Sequence, residues 1–128
     1  MTSICGKQVL RERNVPRQPV SDLSPQLALI RGRFLDRLAQ RCIEIETLVQ
    51  QIETDGVQVD LVQEIAGRAH KIAGVAPTLG FARLGSLSVD IEARLSKLLS
   101  QSAWPDARER IEAYLTEIEA VLETYDPI

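Results

Sequence analysis

His70 is the only histidine in the chain. Imidazole is the side chain whose ordinary titration range makes it a nucleophile or proton carrier near neutral pH. Its sequence neighbours are unusual. Ala66 and Gly67 lie one helical turn before it, and Ala73 and Gly74 lie one turn after. Residues three and four positions away are those whose side chains shade a helical residue, and here all four are alanine or glycine. Glycine inside a helix costs about 1 kcal/mol relative to alanine. Two glycines beside the one imidazole therefore weaken the helix with no local structural return. The pattern leaves the ring exposed and gives another protein's backbone room to approach. Glycines also serve close helix packing, and that reading stands beside the first. On a wheel of about 100° per residue, however, Gly67 and Gly74 point away from the apolar stripe formed by Leu61, Ile65, Ile72, Ala76 and Leu79, while His70 lies opposite Leu61.

The other chemistry-bearing residue types are sparse. Cys5 and Cys42 are the two cysteines; with one histidine they fall short of the roughly four ligands of a structural zinc site, and they build no disulfide framework. No metal site is expected. A net charge of −3 argues against sequence-independent nucleic-acid binding, which runs on clustered Lys and Arg, and the few aromatic residues disfavour base-stacking platforms. Apolar runs are too short to span a bilayer. No apolar secretion signal follows Met1, so a cytoplasmic protein is expected.

At 128 residues the chain has the length of one domain. Residues 1–22 carry Lys7, Arg11, Arg13 and Arg17 with Pro16 and Pro19. They read as a basic leader, partly disordered or with one short helix, that can pack on the body. From there the pattern is helical. Ser24-Pro25 reads as an N-cap followed by proline at the first helical position. Leu27, Ile30, Phe34, Leu38, Cys42, Ile45, Leu48 and Ile52 recur at spacings of three and four, and Asp55-Gly56 ends the helix. A second helix follows Asp60, with Gln63 placed as a capping-box partner, and closes at Gly80. A third carries Leu84, Leu87, Ile91, Leu95 and Leu98. A fourth starts at Trp104-Pro105, carries Ile111, Leu115, Ile118 and Leu122, and breaks at Asp126-Pro127. No segment has the alternation of a strand. The expected fold is all-α: an antiparallel up-down four-helix bundle over residues 23–126, with helices at about 25–54, 61–79, 82–100 and 105–124.

The stretch from Ala69 to Leu95, AHKIAGVAPTLGFARLGSLSVDIEARL, resembles the signature of histidine-containing phosphotransfer (HPt) domains. The matching positions are His70, Ile72, Gly74, Ala76, Leu79-Gly80, Leu84, Leu87, Ile91 and Glu92. One departure is clear: where many members carry Lys or Arg three residues after the histidine, this chain has Ala73, and Lys71 stands one residue after it instead.

The resemblance implies a phosphocarrier rather than an enzyme. Nε2 of His70 would take a phosphoryl group from an aspartyl phosphate on a receiver domain and pass it to a second receiver. It implies a hybrid sensor kinase and a response regulator as partners, no cofactor in this chain, and magnesium on the receiver; the oligomeric state is open, with a monomer as the default. Glu92 is the candidate acceptor of the Nδ1 proton, fixing the tautomer, or else a solvated charge. Lys71 is the candidate offset for the phosphoryl charge, unless the partner supplies that cation. The expected docking face comprises Ala66, Gly67, Ala73, Gly74 and Pro77, with Gly85 and Ser88 opposite, and Gln63 either as a hydrogen-bonding contact or as plain surface. Cys42, on the stripe, is expected buried and inert, and Trp104 is expected to pack. Two other readings stay open. A non-catalytic adaptor would bind receivers without transfer, and the neutral Ala73 favours it. A receiver phosphatase would need a water-positioning residue, for which Gln63 is the one candidate. No glycine-rich nucleotide loop is present, so no ATP-dependent kinase activity is expected.

Overall fold

The computed structural model describes residues 19–98 and 100–125, with side chains described over 25–98 and 100–124. Four helices follow in order: α1 (Pro19–Asp55), α2 (Val59–Val75), α3 (Ala82–Ser96) and α4 (Trp104–Tyr125). The fold is an all-helical bundle, and no strand occurs among the described residues. The chain divides after Gly32 into two compact units. The first is described from Pro19 as the opening of α1, where Leu29 and Ile30 are exposed. The second, from Arg33, holds the bundle.

Side-chain pairs set the direction of each helix. Glu44 on α1 meets Arg68 on α2, and Phe34 near the other end of this part of α1 stacks on Phe81, just before α3, with centroids 5.6 Å apart. His70 pairs with Glu92 across α2 and α3, whereas Gly85 abuts Pro77 just after α2. Arg83 meets Glu117, and Arg94 meets Asp106, across α3 and α4. Trp104 Nε1 donates to Glu53, closing α4 on α1. In the first three of these helix pairings one partner's number rises as the other's falls, so consecutive helices run antiparallel, as short connections require.

The core is built where spacing placed it. Leu38, Ile45, Ile52, Ile65, Ile72, Leu84, Ile111 and Ile118 are fully buried, and Cys42 and Trp104 are buried with them. Burial pushes the Cys42 thiol up to about 11, and the nearby Glu46 and Glu119 carboxylates add to the effect. The thiol therefore stays protonated and unreactive at neutral pH. Cys42, Glu46 and Glu119 form the one group of metal-ligating residue types that converges among the described residues. It lies between α1 and α4, away from the α2–α3 pairing that holds His70.

Element boundaries differ from expectation where backbone chemistry intervenes. α1 starts at Pro19, six residues before Pro25, because proline lacks only an N–H that the first turn leaves unused; Pro25 then lies inside the helix. Residues 19–22 of the expected leader thus belong to α1, and residues 1–18, with Cys5, lie outside the described residues. The Asp60–Gln63 capping box is not formed. Gln58 is the N-cap of α2, without a side-chain bond, so Asp60 falls in the first turn, where its charge favours the helix dipole. α2 ends at Val75 because Pro77 cannot donate a helical hydrogen bond. A 3-10 turn, Ala76–Leu79, follows and is closed by Gly80 at φ 95°, a left-handed geometry that glycine adopts without strain. α3 stops at Ser96, short of residue 100: Lys97 and Leu98 donate to Arg94 and Leu95, tightening the last turn. The break at Asp126-Pro127 falls outside the described residues.

Tyr114 and Val121 are core residues that the expected α4 stripe omitted. Burial raises the Tyr114 phenol to about 12, against a lowering by its Ser88 hydrogen bond. The Ser88 and Tyr114 hydroxyls are 2.6 Å apart, and Ser88 also donates to the Leu84 carbonyl at 2.8 Å. Removing either partner has unequal consequences. Tyr114→Phe leaves Ser88 bonded to Leu84 and should cost about 1 kcal/mol, whereas Ser88→Ala strands a buried phenol and should cost about 1–3 kcal/mol. Urea unfolding of the two variants checks the order.

Candidate functional site

α2 carries the imidazole outward. Its buried arc runs through Leu61, Val62, Ile65, Ala66, Ala69 and Ile72, and His70 lies beyond the edge of that arc with 71% of its side chain exposed. Nδ1 is 2.9 Å from Oε2 of Glu92 on α3. A carboxylate anion only accepts hydrogen bonds, so the contact suits the tautomer that carries its proton on Nδ1. In that tautomer Nε2 has the free lone pair. It lies on the ring edge away from Glu92. The Glu92 side chain is half-buried at 35%.

The positions flanking the ring separate into open and closed ones. Gly67 and Gly74 are exposed, and a Cβ at either would meet no atom within 4 Å. Packing within the described structure therefore does not require glycine at either place. Lys71, Gln63 and Pro77 are exposed, and Ala73 is half-buried. Ala66 is a correction: expected on the docking face, it is buried at 8%. The apolar arc of α2 is broader than the Leu61–Leu79 stripe and extends through Val62 and Ala69 toward α3, which takes Ala66 into the core.

Gly85 and Ser88 are corrections too. Expected to face a partner from α3, both are buried. A Cβ on Gly85 would stand 2.6 Å from Cγ of Pro77. That glycine is there to let α3 pass the turn after α2. Ser88 points at Tyr114 on α4. The signal for Ser88 was present: it lies four residues after Leu84 and three before Ile91, on the core stripe itself.

A groove of about 400 Å³ runs along the other side of α2, lined by Arg37, Gln40, Arg41 and Glu44 of α1 and by Glu64, Gly67, Arg68 and Lys71 of α2. Arg68 is held by Glu44 at 2.9 Å and Glu64 at 3.2 Å. The Glu44 carboxyl is lowered, first by a hydrogen bond from Gln40 and then by one from Arg68, so it remains an anion and keeps Arg68 in place. The arginines of this groove were missed at the sequence level. Their signal was the spacing of Arg33, Arg37 and Arg41, one helical face four residues apart.

The Hpt domain model matches residues 31–121, well over half of the 128 residues. The chain belongs to the Hpt domain family. No curated protein and no solved structure matches it. At family level, Hpt domains are the histidine phosphotransfer modules of phosphorelays and work with receiver domains and kinases. The match begins at residue 31, close to the start of the compact unit that holds the bundle. No helix among the described residues of this Hpt domain is long and apolar enough to cross a membrane.

Proposed function

We propose that this Hpt domain relays a phosphoryl group between aspartates of two receiver domains, with His70 as acceptor and donor. The observation that carries the reading is the exposed imidazole whose Nδ1 is bonded to Glu92, because that bond leaves Nε2 as the nucleophile. In the first step the Nε2 lone pair attacks phosphorus of the donor's aspartyl phosphate. The N–P bond forms, the P–O bond to the aspartyl carboxylate breaks, and the donor regains its free carboxylate. The phosphorylated ring keeps its Nδ1 proton and is a cation, which the Glu92 carboxylate stabilises. In the second step a carboxylate oxygen of the acceptor attacks phosphorus, and the N–P bond electrons return to Nε2. Such transfer requires positioning and charge stabilisation more than covalent help from surrounding groups.

In this reading magnesium is bound by the receiver, and Lys71, exposed beside His70, offsets phosphoryl charge where Ala73 cannot. Gly67, Gly74 and Pro77 form the open surface that a receiver reaches, with Gln63 within reach of its edge. A hybrid sensor kinase and a response regulator supply the two aspartates, and the carrier is a cytoplasmic monomer.

Mixing the protein with a receiver phosphorylated on aspartate should transfer the label to an acid-labile, base-stable phosphate on this chain. An adaptor, which the neutral Ala73 favours, would bind the same receiver and stay unlabelled. A phosphatase would release free phosphate. Glu92→Gln should slow transfer by about tenfold or more by loosening the tautomer. The nitrogen chemical shifts of His70 should report a mixed tautomer in that variant. Shifts identical to the parent would remove Glu92 as a positioning residue.

A further inference from the structure

The groove between α1 and α2 holds more positive charge than its neighbourhood uses. Arg37, Arg41, Arg68 and Lys71 line it against Glu44 and Glu64, an excess of two cations in a chain whose net charge is −3. Both carboxylates are engaged by Arg68. Among the described residues Arg37, Arg41 and Lys71 make no ion pair. Arg41 feels the Glu44 carboxylate only at a distance, and three cations near one another with no direct ion pair repel each other, a cost that an anionic visitor would relieve.

The groove also adjoins the imidazole. Lys71 follows His70 directly, and Gly67, one turn before it, opens the wall because nothing replaces the missing side chain within 4 Å. Glu92 holds Nδ1 from the α3 side; Nε2 faces away from α3, and the arginines of α1 stand on the opposite flank of α2. On the α3 side the ring meets the Glu92 carboxylate, whereas Lys71 and the arginines line the α1 side.

We propose that this groove seats an acidic surface of the docking receiver domain, carboxylate side chains around its phosphoaspartate, with Arg37, Arg41 and Lys71 as the specificity-determining cations. The inference rests on the relay reading and adds the chemistry by which a partner is chosen. Rim charges of this kind act on association rate and partner choice and are screened by salt.

The test uses the receiver that binds the wild-type protein most tightly, with calorimetry on its unphosphorylated form. Arg37→Glu/Arg41→Glu should weaken binding by about tenfold or more at low salt, and the difference should shrink markedly near 0.5 M salt. Arg41 is half-buried, so Arg37→Glu/Lys71→Glu serves as a second variant should the first fail to fold. Lysines placed at the receiver's acidic rim should restore affinity to the reversed variants. Unchanged affinity and unchanged salt dependence in a folded variant would overturn the groove's role. Failure of the relay reading is a separate result: wild-type protein that binds the receiver and takes up no phosphate. A protein that binds no receiver would overturn both.

Discussion

His70→Gln should abolish phosphoryl acceptance from a phosphorylated receiver and leave helix content and thermal midpoint essentially unchanged. The two halves of this expectation have different physical grounds. Acceptance is lost because glutamine has no nitrogen lone pair available for attack: the amide's electrons are delocalised into its carbonyl. Stability is kept because the side chain is largely exposed, and surface changes away from core features stay within about 0.5 kcal/mol. The lost pair with Glu92 lies at the surface, where such pairs contribute about 0–1 kcal/mol. Label persisting on the His70→Gln variant would end the relay reading. A large drop in thermal midpoint would show that His70 is a structural residue.

Replacing Gly67 or Gly74 with leucine should separate stability from transfer in the opposite direction. Both positions lie inside α2, and a Cβ at either meets open space. Each substitution therefore removes the helix penalty of glycine and should stabilise the protein by about 0.5–1 kcal/mol. Leucine one turn from His70 also places a branched side chain where a receiver's backbone must pass. Transfer should fall by at least about tenfold, since small displacements from reactive geometry are amplified in rate. Chemical denaturation and a phosphotransfer time course on the same preparations test the pair of effects. A stabilised variant with wild-type transfer would show that the small residues serve something other than access, whereas a destabilised one would show that a packing constraint had been overlooked. The expected outcome is a trade of stability for access, as at other functional sites.

Much of this was legible in residue order because helical periodicity and side-chain chemistry are local. The lone imidazole among alanines and glycines, the glutamate on the following helix and the resemblance from Ala69 to Leu95 all lie within one stretch of chain. The corrected residues divide in two. Ala66 and Gly85 sit at the margins of their helix faces, where spacing leaves the direction open until a neighbour is in place, whereas Ser88 lies on the core stripe and only its polar side chain argued for the surface. Ala66 became core because α3 lies on that side of α2, Gly85 because Pro77 crosses it, and Ser88 because Tyr114 supplied a partner that let a hydroxyl be buried. Element ends moved for a related reason: a capping bond or a proline's missing donor acts over one turn, below the resolution of an apolar stripe.

Residue order by itself determined that the chain forms amphipathic helices, which residues head their apolar faces, and that His70 stands away from the face of α2. Those properties follow from a period of 3.6 residues and need no knowledge of neighbours. Tertiary structure alone decided how wide each buried arc is, that Glu92 comes within hydrogen-bond reach of Nδ1, and that Arg37 and Arg41 share a groove with Lys71. These depend on the register in which antiparallel helices meet. Register is set by how side chains far apart in the chain fit together, and no local spacing contains it.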